Sequence, residues 1–136
     1  MEQITISAQV KAPAVKVWEL WTSPEHITKW NAASGDWHTP RAENDLRVGG
    51  RFLSRMEAKD GSFGFDFTGT YDEVEPLKRI AYTMDDGRRA IIDFNENEGV
   101  IEIITVFDAE TQNSIDMQRA GWQAILDNFK RYAESN

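Results

Sequence analysis

"TQNSIDMQRAGWQAILDNFKRYA", residues 111–133, is the stretch on which the reading of the fold turns. It contains no proline, and Ile115, Trp122, Ile125, Leu126, Phe129 and Tyr132 recur three and four residues apart, the period of one helical face. Asn113 followed by Asp116 resembles a capping box with Asp in place of Glu. Lys130 and Arg131 put cations in the last turn, where the helix dipole favours them. At 1.5 Å per residue such a helix is about 30 Å long, enough to cross a whole sheet. A helix of that length with one apolar face needs a broad apolar partner.

The partner lies upstream. Between Asp36 and Phe107 no period of 3.6 appears, and strand-like runs are broken at "KDGS" (59–62), "EPLK" (75–78), "DDGR" (85–88) and "NENEG" (95–99), turn chemistry spaced for hairpins. Alternation assigns faces. Phe52 and Met56 fall on one side of their strand, as do Phe63, Phe65, Phe67 and Tyr71. Ile80, Tyr82 and Met84 form a third set, Ala90, Ile92 and Phe94 a fourth, and Ile101, Ile103 and Phe107 a fifth. Before this region Ile4, Ile6, Ala8 and Val10 alternate with polar residues in a half-buried strand. Pro13 opens a short helix through Trp21, and Ser23-Pro24-Glu25 reads as cap, first residue and early acid of a second, ending near Trp30. The expectation is an α+β domain spanning 1–136. A curved antiparallel sheet of about six to seven strands wraps round the long C-terminal helix, and two short helices follow the first strand.

Five Trp, seven Phe and three Tyr in 136 residues are a generous aromatic supply. Set between a bent sheet and one helix, they predict a core with a hole in it. The expected lining is Trp18, Trp21, Trp30, Phe52, Met56, Phe65, Phe67, Tyr82, Met84, Ile92, Phe94, Met117 and Trp122. Arg47 and Arg51 are expected at the mouth, where either could hold an anionic group or pair with a neighbouring acid such as Glu43 or Asp45. Gly49 and Gly50 between them read either as a plain turn or as a place needing positive φ or a bulge, and Gly69 as a similar concession in the next strand.

Four segments in order, "LWTSPEHITKW" (20–30), "DLRVGGRF" (45–52), "GTYDEVEPLKRIAYT" (69–83) and "GWQAILDNFKRYAE" (121–134), resemble the heat-shock-protein-90 ATPase activator homologue (AHSA-type) family. That family belongs to the START-like, birch-pollen-allergen-like superfamily, also called SRPBCC. The resemblance spans nearly the whole chain and implies the helix-grip fold with a hydrophobic cavity between sheet and C-terminal helix. It implies three functional readings: binding of a lipid-like or aromatic small molecule, a chaperone-associated interaction module of the stress response, or cyclase- or hydrolase-like chemistry in the cavity.

Composition narrows these. With 15 basic against 23 acidic side chains and a net charge of −8, a phosphate-backbone footprint is not expected. The chain has no cysteine, so neither disulfides nor thiolate metal sites can form. "MEQITISAQVKAP" lacks the apolar run of a signal peptide, and no segment approaches the ~20 apolar residues of a membrane span, so a cytoplasmic location is expected. His26 and His38 have no metal-ligand spacing, and no metal or cofactor is expected. Asp66, Asp72, Asp93 and Glu102 fall opposite the aromatics, and no nucleophile–base pair can be read from the spacing, so nothing points to catalysis. Leu53, Ile91, Ile104 and Val106 also fall on the outer face, where a contiguous group would suit a homodimer or a client protein.

Overall fold

The computed structural model describes residues 2–136. The elements run β1 (Gln3–Val10), α1 (Ala14–Thr22), α2 (Pro24–Trp30), β2 (Trp37–Asn44), β3 (Arg51–Ala58), β4 (Gly64–Glu75), β5 (Arg79–Met84), β6 (Arg89–Asn97), β7 (Val100–Asp108) and α3 (Ile115–Glu134). All seven strands form one antiparallel sheet in the order β1-β7-β6-β5-β4-β3-β2. Six hairpin-connected strands run in sequence, and β1 returns along β7 with Ile4 opposite Phe107 and Val10 opposite Ile101. This is the α+β helix-grip architecture.

The inner face follows the alternation. Ile4, Val10, Ile101, Ile103 and Phe107 are fully buried on β1 and β7, beneath Leu126 and Phe129 of α3. Two register shifts help the sheet curl: one in β2 between His38 and Arg41, where Pro40 can donate nothing to the ladder, and one in β4 between Tyr71 and Glu73.

The β2–β3 loop resolves the question of the paired glycines. It is a turn, and it needs both of them. Gly49 has φ +83°, and a Cβ on Gly50 would collide with the backbone carbonyl of Asp45. The loop is then pinned to β4: the Gly49 N–H donates to the Tyr71 carbonyl and the Tyr71 N–H to the Gly50 carbonyl, both at 2.9 Å.

Helix α3 starts slightly later than the periodicity suggests, because its cap is Ser114 and not Asn113. The Ser114 hydroxyl accepts from the Met117 N–H at 3.1 Å. The preceding loop is held by buried Gln118, whose side chain accepts from the Glu110 N–H and donates to the carbonyls of Glu110 and Asn113. Pro13 serves as the N-cap of α1 and not as its first residue. Ser23 caps α2 by position, with its backbone carbonyl accepting from Ile27 and no side-chain bond.

Candidate ligand-binding cavity

Aromatic side chains from β3, β4, β5 and all three helices meet between the sheet and α3 without filling the space between them. Phe52 of β3 packs against Phe67, Tyr71 and Tyr82, with ring centroids 4.8–5.5 Å apart. Phe67 meets Trp122 edge-on at 6.3 Å. Trp21 and Trp30 close the far side, both edge-on to Phe129. A cavity of about 300 Å³ remains, at the lower end of the range for small-molecule sites and with room for about ten waters.

Of the thirteen residues expected to line it, nine do: Trp21, Trp30, Phe52, Met56, Phe65, Phe67, Tyr82, Ile92 and Trp122. Trp18 and Phe94 instead pack against one another edge-on at 5.5 Å, and Met84 is plain core. Met117 is 62% exposed, because it stands two residues, a little over half a turn, past Ile115 and so lies off the apolar stripe that faces the sheet. Phe65 lines the cavity yet stays 43% exposed, and with Trp37 and Phe63 it forms an aromatic group at that end of the sheet.

The two expected rim arginines lie elsewhere. Arg47 pairs with Asp45 at 3.0 Å within the β2–β3 loop. Arg51 alternates with inward Phe52, so it points from the outer face, where its guanidinium grips Asp85 through two bonds of 2.8 and 2.9 Å. The outer face is a lattice of such pairs: Arg55 with Glu57 and Asp66, Arg79 with Asp93, and Arg89 near Asp72. Ile91, Ile104 and Val106 adjoin one another on that face and are only half-exposed, whereas Leu53 lies apart on β3. His26 accepts from or donates to the Tyr132 hydroxyl at 2.7 Å, and His38 faces Glu57 at 3.8 Å, so the histidines do not form a pair.

Gly69 shapes the cavity wall. It lies between Phe52 and Met84 in the register, and a Cβ there would stand 2.8 Å from the Phe52 ring and 2.7 Å from the Thr83 carbonyl. The ring of Phe52 thus occupies the space that the missing side chain leaves.

Several lining residues are polar and were not foreseen: Asn44, Ser54, Tyr71, Arg88 and Thr105. Parity was signal enough for four of them, and it sets Tyr71 on the face of Phe65 and Phe67. Ser54 alternates with Phe52 and Met56, Thr105 with Ile103 and Phe107, and Arg88 with Ala90 and Ile92. Asn44 is spoken for, since it accepts from the Tyr71 hydroxyl at 2.5 Å and donates to the Thr22 carbonyl at 2.7 Å, tying β2 to α1 and β4. Burial pushes the Tyr71 phenol well above its usual range, with the Asn44 bond opposing in part. Burial raises the Tyr82 phenol likewise, the neighbouring Tyr71 adds to the effect, and the positive charge of Arg88 opposes it. Both tyrosines are therefore neutral hydroxyls at physiological pH.

The sheet, grip helix and internal cavity define a START-like helix-grip protein. Residues 11–134 match the family described as Activator of Hsp90 ATPase homolog 1-like protein, and the chain belongs to that family. It is similar to the AHSA1-like protein from Aeromonas hydrophila, known from a solution structure, with 49% identity, a TM-score of 0.92 and coverage of 98% of this chain and 93% of that one. A protein from Cytophaga hutchinsonii is 47% identical with a TM-score of 0.85 over the same shares. One from Chromobacterium violaceum covers the full length of both chains at 22% identity and a TM-score of 0.86, a likeness of fold alone. None of the curated proteins matches the chain. Among the described residues no helix is long and apolar enough to cross a membrane.

Proposed function

We propose that this protein binds a hydrophobic small molecule, lipid-like or aromatic, in the cavity between sheet and α3, working in the cytoplasm without a cofactor. The observation that carries this reading is the cavity itself: about 300 Å³ walled largely by aromatic rings whose shapes leave space unfilled. The space is apolar and partly open to solvent, so an apolar occupant that replaces water against those rings is favoured. The test is native mass spectrometry of gently purified protein, followed by organic extraction. A discrete added mass released on denaturation is the expected result. A bare chain that also shows no heat on titration with two-ring aromatics would sink the reading.

The family description favours a second reading, in which the chain acts on a heat-shock protein as an interaction module. That reading predicts stimulated ATPase activity when the protein is mixed with the heat-shock-protein-90 homologue of its own host. It also predicts that the stimulation depends on surface side chains and survives Phe67→Ala.

A further inference from the structure

We propose that the occupant of the cavity is an anion, an apolar body ending in a carboxylate or an equivalent group, held at the β5–β6 hairpin by the guanidinium of Arg88 and the hydroxyl of Tyr82. This rests on the reading of the cavity as a hydrophobic ligand site and adds the chemical class that site selects.

Among the described residues Arg88 is the one cationic side chain in the cavity wall, and the one acid there, Glu43, is already paired with Arg41 on the exposed side. Placement of Arg88 follows from its strand. It precedes Arg89 of β6 and shares parity with inward Ala90 and Ile92, and its carbonyl accepts from the Met84 N–H at 2.7 Å, closing the hairpin. Its side chain is mostly buried, and only its Nε is engaged, donating to Asp86 at 2.8 Å. The two terminal amino groups have no partner among the described residues. They form the planar end that suits a carboxylate.

Tyr82 supplies the second donor. It is 9% exposed, lines the same cavity, and its hydroxyl makes no hydrogen bond among the described residues. Among the described residues every fully enclosed side-chain nitrogen or oxygen has a partner, so this hydroxyl is not sealed off, and the cavity is the space that Tyr82 lines. A buried donor without an acceptor is costly, and Tyr82 together with Arg88 therefore presents donors in search of an acceptor. A carboxylate supplies several acceptor sites and a charge opposite to that of Arg88. A cation is repelled, and a purely apolar occupant leaves both donors unmet. Asp86, half-exposed on the solvent side, holds part of the charge of Arg88 while the cavity lacks an anion.

Isothermal titration calorimetry with biphenyl-4-carboxylate and biphenyl-4-carboxamide tests this, because the two share a shape and differ in charge. The wild-type protein is expected to bind the carboxylate about tenfold or more tightly than the carboxamide. Arg88→Gln removes most of that preference, and Tyr82→Phe lowers carboxylate affinity roughly three- to tenfold and carboxamide affinity by less, because a neutral carbonyl is the weaker acceptor. Asp86→Asn keeps an acceptor for the hairpin N–H but deletes the competing charge, so it tightens carboxylate binding. Equal affinity for the two probes in the wild type overturns the anion proposal and leaves the cavity reading intact. Failure of both probes to bind overturns the cavity reading and the proposal with it. If Arg88→Gln does not fold, Tyr82→Phe and Asp86→Asn carry the test, and no change in the carboxylate preference in either one counts against it.

Discussion

The two ends of the sheet both turn apolar residues inward toward α3 and do different things. At the β1–β7 end, Ile4, Ile101, Ile103 and Phe107 are fully buried in one cluster with Leu126 and Phe129. At the β4–β3–β2 end the inward residues are Phe52, Ser54, Phe65, Phe67 and Gly69, and α3 stands away from them. One reason is side-chain shape. Branched aliphatics interdigitate and leave little space, whereas flat rings meeting at 44–89° enclose corners that nothing else enters. Trp122 marks the border, stacked on Phe107 at 3.8 Å on the closed side and edge-on to Phe67 on the open one.

The sharpest way to break this contrast is to open a hole in the closed end. Phe129 is fully buried and meets Trp21 and Trp30 edge-on at 4.8 and 4.9 Å. Phe129→Ala is expected to cost about 3–5 kcal/mol in urea unfolding. A loss below about 1 kcal/mol would show that the closed end is as loose as the cavity. Gly69→Ala comes next, since its methyl would meet the Thr83 carbonyl, which cannot swing aside, and the Phe52 ring, which can do so only into the cavity. The expected cost is about 1–3 kcal/mol, with loss of affinity for any cavity probe, and the displaced ring would show in the aromatic NMR shifts of Phe52 and Tyr82.

How far the sequence disclosed this contrast follows from the range of each physical signal. The hairpin run, helix placement and the facing of nearly every strand residue were legible, because periodicity and hairpin turns are local and act over a few residues. The return of β1 along β7, by contrast, joins the two ends of the sheet's sequence and has no local signal. The Gly49–Gly50 turn was half legible: the need for positive φ is written in the glycine, but the collision with the Asp45 carbonyl depends on how the loop closes. The cavity wall was read from aromatic content and parity, which placed Trp21, Phe52, Phe67 and Trp122 but also drew in Phe94 and Met84, inward residues at the tightly packed positions. Parity says which way a side chain points and not whether anything meets it. Arg88 shares the parity of Ala90 and Ile92, but it stands just before β6 begins, so whether the strand alternation extends to it depends on how the hairpin closes. Arg47 pairs with Asp45, one of the neighbouring acids the sequence offers it, whereas the partner of Arg51, Asp85, is settled by a contact 34 residues away in the chain.

Phe67 offers a cleaner probe of the open end than Trp122. Trp122→Ala would remove the stack on Phe107 and so weaken the closed end as well. Phe67 is half-buried and its ring faces cavity on one side, so Phe67→Ala is expected to cost only about 1–2 kcal/mol of stability. Binding of a two-ring probe should fall by more than that stability loss implies. Binding unchanged in Phe67→Ala would remove this part of the sheet from the site.

The smallest expected effect lies on the outer face, where the β5–β6 hairpin is tied back to β3. Asp85 accepts two bonds from Arg51 and one from Thr68 at 2.5 Å, and these hold its carboxyl down at about 2, below the ordinary 3.8. Because the folded state favours the ionised form, its contribution is fully present above about pH 4 and is lost as pH falls through about 2. The pair is exposed to solvent, so salt screens it and its weight is slight. Asp85→Asn should therefore flatten the acid limb of the stability curve between about pH 4 and pH 2 and leave stability at pH 7 little changed. Urea midpoints measured across that range, at low and at high salt, check it. An acid limb identical to that of the wild type would mean that the hairpin is held by Thr68 and the backbone bond from the Asp85 N–H to the Thr68 carbonyl, and that the Arg51 pair contributes nothing to the curl that frames the cavity.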